Sequence, residues 1–101
     1  MEQKLFILVR KDISIAQQGV QMAHVAALFA ASHKNQDWEK TTFVCCTVED
    51  EEWLKIVINK AVLKHYTYTA FIEPDLDNTI TAMAVLHDGN SFDSFPLWNP
   101  L

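Results

Sequence analysis

The run Leu5-Phe6-Ile7-Leu8-Val9 sets five large apolar side chains in succession, and it limits the folds open to this chain more than any other stretch. Neighbouring residues of a β-strand point to opposite faces of the sheet, so an unbroken apolar strand has to be covered on both. Residues 4–11 are therefore predicted to form a central strand with other layers packed above and below it. At 101 residues the chain has room for one domain, expected to span 1–101, and none for a second. Half of its residues are hydrophobic and only two are Gly, so it can fill such a core.

After the strand, Ser14 stands three residues before Gln17, the spacing of a capping box that satisfies the free N–H groups of a helix start. The Ala-rich segment 15–33, with Met22, Val25, Leu28 and Phe29 for packing and Gly19 as a weak point, is predicted as a helix. A polar connection leads to the β-branched run 41–48, a second strand. Glu49, Asp50, Glu51 and Glu52 then precede Lys55, Lys60 and Lys64, a polarity that matches a helix dipole, and a second helix is predicted over 50–63. The acidic group resembles a metal site at first glance, but solvated charge at a helix start accounts for it. Residues 66–72 and 79–86 read as two strands joined through a turn at 74–78, paired as an antiparallel hairpin. The order strand, helix, strand, helix, strand, strand predicts an α/β domain with a four-stranded mixed sheet and helices packed on it.

The tail, 88–101, opens with an Asp88-Gly89 turn signal and carries Phe92, Phe95, Leu97 and Trp98. Its aromatic residues are expected to cover the core or a sheet edge, with contact to another subunit as the other possibility. Cys45 and Cys46, adjacent in a strand, point to opposite faces and are expected as reduced, buried small residues. The N-terminus lacks the features of a signal peptide, and no run of about 18 apolar residues suggests a membrane span, so a cytoplasmic location is expected. A net charge of −5 opposes non-specific binding to a polyanion, and Arg10, Lys11, Lys34 and Lys40 are the candidates for a local basic patch.

Gln17, Gln21, His24 and Leu28 are spaced to fall on one stripe of the first helix. That lines up three polar side chains and would hold His24 and Gln21 near the sheet or at the rim of a cleft, and imidazole alone among the three can exchange a proton near neutral pH. A single histidine on an apolar helix is also a common structural residue. The loop Glu73-Pro74-Asp75-Leu76-Asp77 supplies three carboxylates that could orient a histidine, position water or serve only as a surface turn. No glycine-rich phosphate loop, nucleophile elbow or zinc motif occurs.

The strand ending ILVRKD, the helix containing VQMAHVAA and the order of the remaining elements resemble the type-two peptidyl-tRNA hydrolases. Their pattern, Arg-x-Asp-Leu, Gly-Lys and Ala-Gln-x-x-His-Ala, is matched here by Arg10, Asp12, Ile13, Gln21, His24 and Val25. The Glu-Pro-Asp-Leu at residues 73–76 is similar to a shorter bacterial and phage-type branch. Gln17 stands where the family carries a lysine and Ala16 where it carries glycine, and EPDLDNT replaces its longer loop, so Asp75 and Thr81 are approximate counterparts of its acidic and threonine residues.

The resemblance implies hydrolysis of the ester between a peptide and tRNA, without cofactor or metal. Water would be positioned or deprotonated by His24 or Asp75, with Thr81 in the same site, and the oxyanion received by Gln21 or backbone N–H groups. Arg10, Lys11 and Gln17 would meet the substrate, peptidyl-tRNA, and the family's habit of pairing implies a homodimer. A competing reading is a divergent, inactive relative that binds a small molecule or a protein. Basic residues gathered around His24 would favour the enzyme, and an acidic mouth the binding domain.

Overall fold

A computed structural model describes residues 3–88, 92 and 95–100. The chain runs β1 (Lys4–Arg10), α1 (Ile15–Ser32), β2 (Thr42–Val48), α2 (Glu51–Leu63), β3 (Thr67–Glu73), a 3-10 turn (Pro74–Leu76) and β4 (Thr79–His87). The sheet order is β2-β1-β4-β3, with β1 parallel to β2 and antiparallel to β4, and β3 antiparallel to β4. The apolar run of β1 thus lies in the interior of a four-stranded mixed sheet. Phe6 and Leu8 face α2, packing with Leu54, Val57, Met83 and Val85. Leu5, Ile7 and Val9 face α1, packing with Met22, Val25 and Phe29. Each such side chain removed from water contributes about 1.5–3 kcal/mol, so the doubly covered strand anchors both layers.

Local signals set the helix starts. The Ser14 side chain accepts from the N–H of Gln17 at 3.2 Å, and Asp50 accepts from that of Trp53 at 3.1 Å. The capping box is only half formed, because the Gln17 side chain points along the helix and accepts from Gln21 Nε2. At the end of α2, His65 takes φ 59° while Tyr66 N–H donates to Ala61 O and His65 N–H to Val62 O. This is a Schellman ending built without glycine, which is why composition did not announce it.

The described residues of the tail pack back on their own domain. Phe92 is buried beside Phe6, their ring centroids 5.3 Å apart, and Phe95 lies against the same cluster. Thr47 N–H donates to Pro96 O and Trp98 N–H to Cys45 O, so residues 96–98 cover the outer edge of β2. Leu97 remains 69% exposed. The Asp88-Gly89 turn signal extends beyond the described residues, as do the N-terminal Met1 and Glu2. Cys45 and Cys46, not joined in a disulfide, lie on opposite faces of β2, Cys46 buried and Cys45 half-buried. Among the described residues, no helix is long and apolar enough to cross a membrane.

Candidate functional site

The carboxyl ends of β1, β2 and β3 lie at one end of the sheet, together with the starts of α1, α2 and β4. Arg10, Lys11, Asp75 and Thr81 therefore come from this end, and Gln17, Gln21 and His24 from α1, which starts there. Crevices outside the carboxyl ends of strands are common ligand positions in open α/β sheets.

Gln21 is the centre of one group. Its Nε2 donates to Glu73 Oε1 at 3.0 Å and to Gln17 Oε1 at 3.1 Å, and its Oε1 accepts from the Thr81 hydroxyl at 2.6 Å. Thr81 reaches α1 because of a β-bulge. Phe71 pairs with Ala82 and Ile72 with Ile80, leaving Thr81 as the unpaired extra residue. The bulge turns its side chain to the face that strict alternation would deny it. Gln21 and Thr81 have no exposed surface, so this amide is committed to the fold.

His24 lies one turn further along α1 and is exposed, its ring stacked on Phe71 at 4.7 Å between centroids and 4° between planes. Gln17 and Asp75 are exposed as well, Asp75 on the 3-10 turn. The stripe expected from the helix spacing is present, but its members differ in depth: Gln21 is sealed beneath, whereas His24 and Gln17 face outward.

Arg10 is the centre of a second group. It holds Asp12 through two hydrogen bonds, at 2.6 and 2.9 Å, and donates to the Thr79 hydroxyl at 3.1 Å and to Ile80 O at 3.4 Å. The Asp12 hydrogen bonds raise the Arg10 pKa, against the opposing effect of partial burial and with help from nearby Glu51 and Asp50. The same hydrogen bonds pull the Asp12 carboxyl below its ordinary range. Lys11 is paired with Glu49 at 2.9 Å, and Lys55 with Glu52 at 3.3 Å and Glu51 at 3.8 Å.

Two expectations need correction. Lys34 and Lys40 belong to the connection between α1 and β2, at the opposite end of the sheet, so the four proposed basic residues form no patch. A helix rises about 1.5 Å per residue, and an 18-residue α1 separates its ends by roughly 27 Å. The acidic start of α2 is also not simply solvated. Asp50 caps the helix, and Glu51 Oε2 accepts the N–H of Ile80 at 2.8 Å, tying α2 to β4. Among the described residues no group of three or more His, Cys, Asp or Glu is arranged to hold a metal ion. Burial pushes the Cys45 thiol up, away from nucleophilic use.

The partners Glu73, Thr79 and Glu51 were not picked out as site residues by sequence reasoning. Glu73 was visible only as a member of an acidic turn, and nothing local links it to Gln21, 52 residues earlier.

No family model and no curated protein matches this chain. Among solved structures, a protein of unknown function from Agrobacterium tumefaciens is similar over 98% of this chain and 99% of its own, with a TM-score of 0.76 at 14% sequence identity. A likeness at that identity speaks to the fold alone.

Proposed function

We propose that this chain is a divergent relative of the type-two peptidyl-tRNA hydrolases that acts as a binding domain for a small molecule of no net charge, and that it does not cleave peptidyl-tRNA. One observation carries the reading: Arg10, Lys11 and Lys55, the cations of the candidate end, each stand beside a carboxylate and are outnumbered by acid. Eight carboxylates, from Asp12, Glu49 to Glu52, Glu73, Asp75 and Asp77, share that end with those three cations. Affinity for tRNA comes chiefly from Lys and Arg that neutralise phosphates and release counterions. With acid in excess at this end, the surplus carboxylates repel the phosphate backbone even where an exposed ion pair opens. Gln21 could serve as an oxyanion donor only by giving up Glu73 or Gln17.

A second reading, hydrolysis, draws on His24, whose imidazole is exposed and held flat against Phe71. In that reaction water would attack the ester carbonyl and pass its proton to His24. The tetrahedral intermediate would then expel the ribose oxygen, which takes the proton back.

Release of peptide from purified peptidyl-tRNA at neutral pH decides between the two. The expected result is no cleavage above a buffer blank, and no retention of tRNA at low salt. Cleavage by the wild type that is lost in His24→Ala or Asp75→Asn, with circular dichroism unchanged, would overturn the binding reading.

A further inference from the structure

The strapped-down tail creates a cavity of about 380 Å³ at the carboxyl end of β2, on the far side of β1 from β4 and β3. Its walls are Val48, Trp53, Phe95 and Pro96, and Lys11 and Glu49 line it as well. Neither His24 nor Gln21 takes part. Pockets of about 300–1,000 Å³ with apolar walls and a few convergent polar groups are the ordinary form of a small-molecule site.

The ion pair is held in place by backbone. Lys11 N–H donates to Val48 O at 2.9 Å, which extends the β1–β2 pairing by one residue and sets Lys11 beside Glu49. Their side chains are 51% and 64% exposed and meet at 2.9 Å, so water already screens the pair and little is lost in parting it. A ligand with a single charge would satisfy one partner and strand the other. A ligand carrying both charges a few ångströms apart can enter between them, giving its carboxylate to Lys11 and its ammonium to Glu49, so that one contact becomes two. The walls behind are aromatic, with Trp53 45% exposed and Phe95 beside the same cavity. Aromatic side chains of this kind suit a planar apolar group.

We infer that this cavity is a binding site for an aromatic α-amino acid, with Lys11 and Glu49 recognising its zwitterionic head and Trp53 and Phe95 its ring. The inference deepens the binding-domain reading by naming a ligand class. Its test reads binding, which turnover at His24 does not affect.

The full chain, labelled with ¹⁵N, is titrated with four probes: L-phenylalanine, 3-phenylpropanoate, 2-phenylethylamine and L-alanine. L-Phenylalanine is expected to shift the amide signals of Lys11, Val48 and Glu49 and the Trp53 indole N–H. The probes lacking the ammonium, the carboxylate or the ring are expected to bind at least about tenfold more weakly, the loss of one charged or stacking contact. Glu49→Gln and Lys11→Met, both at exposed positions, should keep the wild-type spectrum elsewhere and each weaken L-phenylalanine about tenfold. The inference is overturned if L-phenylalanine shifts none of these signals at millimolar concentration or shifts a different face. It is equally overturned if a singly charged probe binds as well, or if Glu49→Gln binds like the wild type. Cleavage of peptidyl-tRNA would overturn the non-catalytic reading and leave this result standing.

Discussion

The Thr81 hydroxyl donates a 2.6 Å hydrogen bond to Oε1 of Gln21, 60 residues away in the chain, and neither side chain has any exposed surface. A buried acceptor that loses its donor keeps the cost of its own desolvation, about 1–3 kcal/mol. Thr81→Val, nearly isosteric, is therefore expected to destabilise the domain by that amount, measured by urea unfolding. A double-mutant cycle with Gln21→Leu should return a coupling of about 1 kcal/mol, because removing both partners relieves the stranded group. Additive losses would mean that the two side chains act independently.

The Arg10–Asp12 pair makes stability depend on acid. Its hydrogen bonds lower the Asp12 pKa in the folded state, so the stabilisation is fully present above the unfolded value of about 3.9. It is lost as pH falls through the lower folded value. Asp12 is 40% exposed, and solvent screening limits the pair to less than about 1 kcal/mol. Comparing unfolding midpoints of the wild type and Asp12→Asn between pH 7 and pH 3 should show their difference shrinking toward the acid end.

Trp98 ties the tail to α1 through a 2.9 Å hydrogen bond from its indole N–H to Gln18 Oε1. Trp98→Phe keeps most of the ring and removes the donor, and a loss of about 1 kcal/mol is expected. Removing residues 95–101 would strip the cover from the edge of β2, and that edge would be free to pair with another chain. The apparent mass from light scattering is expected to rise more steeply with concentration for the truncated protein than for the full chain.

His65 closes α2 in the left-handed region, at φ 59°. L-residues other than glycine are strained there, and the side chain is exposed, so nothing in the packing depends on it. His65→Gly is expected to raise stability by about 0.5–1 kcal/mol, the relief of strain less the added freedom of the unfolded chain. Thermal unfolding checks the sign directly.

Much of the fold was legible because its signals are local. Five consecutive apolar residues in β1 require two covering layers wherever they fold, and Ser14 and Asp50 cap helices with groups three residues away. The same holds for the opposed faces of Cys45 and Cys46, which follow from strand geometry. The stripe of Gln17, Gln21 and His24 was also readable from helical spacing, as far as direction goes.

Depth and partnership were not readable. Gln21 is sealed and His24 open because Glu73 and the bulged Thr81 close over one and not the other, and a bulge leaves no mark in residue type at a single position. The pairing of Arg10, Lys11 and Lys55 with carboxylates, and the placing of Lys34 and Lys40 at the far end, depend on how strands and helices are laid side by side. Chain chemistry of short range determined the elements and their buried faces. Contacts between residues far apart in sequence decided which polar groups are spent on holding the fold and which remain open to a ligand, since burial and electrostatic neutralisation are properties of the assembled neighbourhood.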